Sequence, residues 1–115
     1  MDTATRQKLQ DLQILEQNLQ SLLIQKQNIQ ADLNETVNAL EEVKQTTDVV
    51  YKMVGSIMVV VDKKKTIEEL EEKKKLSELR NDSVSKQEKL IESKARELQQ
   101  EIKKILENKS PSTTK

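Results

Sequence analysis

The groups able to do chemistry in this chain are few in type: carboxylates, ammonium and guanidinium groups, one phenol and a set of aliphatic side chains. With neither Cys nor His in 115 residues, it has no thiolate nucleophile, no usual zinc ligands and no acid/base group poised near neutral pH. A Gly-rich phosphate cradle is excluded too, because Gly55 is the one glycine. The sequence therefore reads as non-enzymatic, with no catalytic, cofactor-binding or metal-binding residues. What its spacing does supply is non-covalent. Apolar side chains gather at 49–61 and again at Ile102, Ile105 and Leu106, where they could bind other apolar surfaces.

Charge narrows the partners. Lys plus Arg and Asp plus Glu stand at 20 each, so the positive excess that draws a protein to phosphate is absent and no nucleic-acid partner is expected. Residues 1–48 sum to about −4 and 62–115 to about +3, so two segments of opposite sign could pair. The lysine runs Lys63–Lys65 and Lys73–Lys75 read as solvated faces with acids close by. The longest apolar stretch, Val49 to Val61, is interrupted by Lys52, Gly55 and Ser56, and falls well short of the roughly 20 residues a membrane helix needs. The amino terminus has no apolar signal region, and no Cys is available for disulfides. A cytoplasmic protein without a membrane partner is the expectation.

The elements that must position these groups are legible from periodicity. Leu12, Leu19, Leu33 and Leu40 repeat at one heptad position, and Leu15, Leu22, Ile29 and Val43 three residues later; only Lys26 and Thr36 interrupt. Such spacing is a coiled-coil seam and predicts a helix over about 3–45. It should stop at Gln45-Thr46-Thr47-Asp48, where turn-prone and β-branched residues take over. Thr66-Ile67-Glu68-Glu69 has the capping-box pattern, which predicts a second helix over about 66–108 and a disordered tail at 109–115. Its heptad positions are Ile67, Lys74, Asn81, Glu88, Ala95 and Ile102 and, three later, Leu70, Ser77, Val84, Ile91, Leu98 and Ile105, with a polar middle third. Lys26 and Glu88, both at seam positions, are expected to snorkel or to pair.

Between the helices stand two β-branched runs split by Gly55-Ser56, which fits a β-hairpin over about 49–61 with a type II′ turn. Val54 then faces Ile57 and Lys52 faces Val59. One face carries Val50, Lys52, Val54, Ile57, Val59 and Val61, the other Val49, Tyr51, Met53, Met58 and Val60. Both faces are largely apolar, and a lone hairpin is marginal in water, so it needs further strands. Folding the second helix back on the first puts Val43 by Ile67, Leu40 by Leu70, Leu19 by Ile91, Leu15 by Ala95 and Leu12 by Leu98. Beyond that layer Ile102 meets Lys8 and Ile105 meets Thr5. Leu9, Ile102, Ile105 and Leu106 are therefore expected to lie exposed at the free end.

The segment VVYKMVGSIMVVVDKKKTIEELEEKKKLSEL resembles the β class of prefoldin subunits. The specific elements are Val50-Tyr51-Lys52, Val54-Gly55, Ile57-Met58-Val59 and Glu68-Glu69-Leu70; the helices are generic. A single hairpin fits between the helices, whereas the α class carries two, which argues for β. The resemblance implies a mainly α fold: a long antiparallel two-helix coiled coil whose one β-hairpin joins an intersubunit β-barrel. It also implies a hexamer of two α-type and four β-type subunits, an ATP-independent chaperone that holds unfolded clients at its coiled-coil tips and passes them to a chaperonin. On that reading the client-binding residues are Leu9, Leu12, Leu98, Ile102, Ile105 and Leu106. The oligomerisation hairpin comprises Val49, Val50, Tyr51, Met53, Val54, Gly55, Ile57, Met58, Val59, Val60 and Val61. The competing reading is a structural or adaptor coiled coil with no general client; a membrane-inserting hairpin fits less well, because unpaired strand edges are costly in lipid.

Overall fold

The computed structural model describes residues 2–109. The element order is α1 (Thr3–Gln45), β1 (Val50–Val54), β2 (Ile57–Val61) and α2 (Lys63–Lys109). This is the mainly α arrangement of two long helices joined by a single hairpin. The tail expected from 109 onward lies outside the described residues, apart from Lys109 at the end of α2. Both helices pass through two compact units, one built from the first 26 residues and the segment from Val84, the other from Gln27–Ser83.

In the first unit the amino-terminal part of α1 packs against the carboxy-terminal part of α2. Asp2 caps α1 by accepting the Thr5 N–H at 2.8 Å, which satisfies one of the four donors a helix start leaves free. Leu22, Val84, Ala95 and Ile102 are buried, and Leu12, Leu15, Leu19, Ile91 and Leu98 are half-buried. Each helix thus contributes one stripe and leaves its other faces in water, as a two-helix seam requires. Leu15 and Leu98 line one groove and Leu22 and Ile91 the next, within a turn of the expected register. Lys8 and Glu101 meet at 3.6 Å across the helices.

Lys26 and Glu88 do pair across the seam, at 3.1 Å. Their exposures are unequal: the Lys26 side chain keeps 38% of its surface in water and Glu88 only 17%. A long lysine can reach solvent when its partner is removed, whereas a sunken carboxylate cannot. Lys26→Leu should therefore cost about 1–2 kcal/mol, Glu88→Leu less than about 1 kcal/mol, and the two together should come out near neutral or stabilised. Urea unfolding of the two single variants and the double variant checks this asymmetry. Equal losses in the single variants would mean that both charges are solvated alike.

In the second unit Leu40 is buried, and Ile29, Leu33, Val43, Ile67 and Leu70 are half-buried beside it. The polar seam positions are buried here as well: Thr36 at 2% exposure and Ser77 at 8%. Thr36 takes a leucine's place without stranding its hydroxyl, which donates to the Asp32 carbonyl at 2.7 Å. Asn81 is half-buried, and its Oδ1 has no hydrogen-bond partner among the described residues. Lys44 and Glu71 form an exposed cross-helix pair at 3.2 Å.

The start of α2 differs from expectation. Asp62, not Thr66, is the cap: its Oδ2 accepts the Lys65 N–H at 3.2 Å, and the helix begins at Lys63. Asp is a strong N-cap, and lysines are good helix formers, so the helix starts as soon as the strand ends. Thr66 lies inside the first turn and returns its hydroxyl hydrogen to the Asp62 carbonyl at 2.8 Å. Three lysines in that turn oppose the helix dipole, but Lys63 is half-buried and donates to the Thr46 carbonyl at 2.7 Å. Thr46 follows the last residue of α1, so one cation satisfies an acceptor that the helix end leaves free and ties the two helices beside the hairpin. The Thr46 hydroxyl in turn accepts the Asp48 N–H at 3.2 Å as the chain turns toward β1.

Candidate functional site

The hairpin is built by local turn chemistry. Gly55 has φ +64° and no other described residue has a positive φ, so the turn needs its left-handed residue at the first central position only. That is the type II′ pattern. A Cβ at Gly55 would meet nothing within 4 Å, so backbone conformation and not space demands the glycine there. Val54 pairs with Ile57, Met53 with Met58, Lys52 with Val59, Tyr51 with Val60 and Val50 with Val61, which is the expected register. β1 starts at Val50, and Val49 stands just before it.

Every strand residue from Tyr51 to Val60 is exposed, and only Val50 and Val61 at the base are half-buried. Ile57, Met58 and Met53 reach 65–66% exposure. Water wets both faces of this sheet, and because it has two strands, each also has a free edge of unpaired N–H and C=O groups. Such a patch buries itself by pairing with other strands.

The free end of the first unit is more closed than expected. Ile102 is only 7% exposed, and Leu9 and Ile105 are half-buried; Leu106 is exposed, at 46%. The expectation that Ile102 and Ile105 would lie bare beyond the last matched layer is corrected, because the seam does not end at Leu12. It continues through Lys8 and Thr5 at the same three- and four-residue spacing, with Thr5 buried to 1%. The methylenes of Lys8 extend the apolar seam, whereas Thr5 fills its position with a methyl at the cost of a buried hydroxyl that has no hydrogen-bond partner among the described residues.

Exposed aliphatic surface instead occurs along the first unit. Ile14 and Leu90 are 54% and 63% exposed. Ile14, Leu15 and Leu98 line an open groove of about 390 Å³ with Asp11, Lys94, Glu97 and Glu101 on its rim. Lys94 also lines a second groove, of about 370 Å³, with Leu22, Leu90 and Ile91 among polar residues. Leu19 and Leu23 line a further groove with Glu16, Glu88 and Glu92. Sequence reasoning did not single out Ile14, Leu23 and Leu90 as exposed aliphatic residues. Their signal was present as aliphatic doublets, Ile14-Leu15, Leu22-Leu23 and Leu90-Ile91, where a one-residue stripe needs a single member.

Among the described residues no group of three or more carboxylates could hold a metal ion, and no helix is long and apolar enough to cross a membrane. The arrangement offers apolar contact and strand pairing.

Comparison with known proteins points one way. The family model described as "Prefoldin subunit" matches residues 6–109. A prefoldin subunit beta of Thermococcus onnurineus is 40% identical over 58 residues, 50% of this chain and 50% of that relative. One of Thermoplasma volcanium is 42% identical over 55 residues, 47% of this chain and 44% of that relative. The chain thus spans about half the length of the curated relatives it matches. The crystal structure of the prefoldin beta subunit from Thermococcus strain KS-1 superimposes with a TM-score of 0.83 at 34% identity, over 91% of this chain and 94% of that one.

Proposed function

The chain belongs to the prefoldin subunit family, and on that premise we propose that it is one subunit of an oligomeric chaperone that holds non-native polypeptide without nucleotide. The observation that carries the proposal is the hairpin: a two-stranded sheet exposed on both faces, with two open edges, makes sense only in an assembly. Its partners on this reading are further copies of itself and α-type prefoldin subunits, in a hexamer of two α-type and four β-type chains whose hairpins close into a barrel. Closing the barrel removes the edges.

Clients are held at the first unit. Leu106 is open to them, with the half-buried flanks of Leu9, Leu12, Leu98 and Ile105 beside it, while Ile102 supports the layer from beneath. Ile14 and Leu90 extend the contact along the grooves. Unfolded chains present aliphatic segments of no fixed sequence, so shallow apolar grooves on several arms suit them better than one deep pocket, and avidity supplies the strength. Delivery to a chaperonin and a cytoplasmic location complete the proposal. No cofactor is part of it.

The test is light scattering of an aggregating client in the presence of the assembled protein. Scattering should fall several-fold, and by the same factor with ATP, without nucleotide or with EDTA. No protection at any ratio of protein to client would favour an adaptor coiled coil, and protection that required ATP would overturn the nucleotide-free mechanism.

A further inference from the structure

We propose that Lys52 makes the β1 edge selective, rejecting the same strand of a second copy and accepting a strand of a different chain that brings a carboxylate opposite it. The inference rests on the reading of the hairpin as the assembly element. β1 and β2 form a two-stranded sheet, so each strand offers one free edge. Lys52 is the middle residue of β1 and the only charged residue between Asp48 and Asp62. An interface between identical edges is two-fold symmetric, and full antiparallel overlap of two copies of Val50–Val54 sets residue 52 opposite itself. Two ammonium groups would then share one face, with Cβ atoms about 4.5–5.5 Å apart between the valines on either side.

The β2 edge has no such obstacle. Its middle residue is Val59, and symmetric pairing there sets valine against valine. A lysine in the middle of an edge strand is a known way of refusing unwanted strands, and here it guards one edge of two. Nothing among the described residues neutralises it. The hairpin contains no carboxylate, and Lys52 forms no ion pair among the described residues. A strand that settles on β1 must therefore bring the acid, and a second β1 has none.

Sedimentation velocity on the full chain, with native mass spectrometry of mixtures, tests this. Lys52→Met should self-associate at a several-fold lower concentration than the parent. Added salt should strengthen self-association of the parent by screening the lysines, and leave Lys52→Met unchanged. When the parent is mixed with isotopically heavy Lys52→Glu chain, mixed pairs should exceed the statistical proportion by about three-fold or more. If Lys52→Met and Lys52→Glu match the parent in every arm while Ile57→Lys with Val59→Lys breaks the oligomer, the role of Lys52 is overturned and the hairpin remains the assembly element. If that double variant leaves the oligomer intact, both readings fall.

Discussion

Changing Ile57 and Val59 to lysine should reduce the assembled protein to helical species of one or two chains. Both residues stand on the same face of the hairpin, Ile57 opposite Val54 and Val59 opposite Lys52, and both are exposed in the single chain, at 65% and 41%. Burying an Ile or Val side chain contributes about 1.5–3 kcal/mol, and a lysine placed in the same interface must also be desolvated. Two such changes per subunit should weaken association by at least about 100-fold. The helices should survive, because their seams draw on other residues, from Thr5 to Val43 and from Ile67 to Ile105. Sedimentation velocity reads the first effect and far-ultraviolet circular dichroism the second. An unchanged oligomer would mean that assembly occurs elsewhere.

The second large effect separates client binding from stability. Ile14, Leu90 and Leu106 are 54%, 63% and 46% exposed, so changing all three to serine removes apolar surface of which about half already faces solvent. Stability should fall by about 1 kcal/mol or less for each, from lost partial burial and helix propensity. Client protection should nevertheless fall several-fold, because each arm loses contact surface and the loss multiplies across arms. Ile102→Ser should do the reverse. At 7% exposure it lies inside the seam, and its loss should cost about 2 kcal/mol or more, lowering the melting temperature before it touches client capture. Melting curves and client light scattering on the two variants give the comparison. A triple serine variant that protects as well as the parent would place the clients elsewhere.

The contrast between these sites shows what the sequence made legible. The seam could be read because its period is set by helix geometry, and every position assigned to it from Leu12 to Ile105 is buried or half-buried. The hairpin register followed from two residues, since Gly55-Ser56 dictates the turn and the turn dictates the pairing. Two features were misjudged where residue type masked position. Thr5 and Lys8 look like surface residues, yet they sit at seam spacing, and Thr5 is buried and Lys8 half-buried. Thr66-Ile67-Glu68-Glu69 looks like a capping box, yet Asp62 four residues earlier is an equally good cap and comes first. Grooves were harder still. They depend on how far each side chain projects from the seam, which periodicity does not encode; the aliphatic doublets were the one trace.

The Lys63–Thr46 bond beside the hairpin points to the order in which the chain should fold. It joins residues 17 apart, whereas Lys26 and Glu88 are separated by 62, and Lys8 and Glu101 by more again. The entropy lost on closing a loop grows with its length, so the cheapest closure is the one at the turn, and each layer formed there shortens the loop left for the next. Folding should then run as a zipper from the hairpin toward the chain ends. Native-state hydrogen exchange should show the same gradient in reverse, with amides near Thr5 and Ile105 opening first. The layers that close last are those beside Leu106, so the surface proposed to hold clients would sit where the protein is itself nearest to being unfolded.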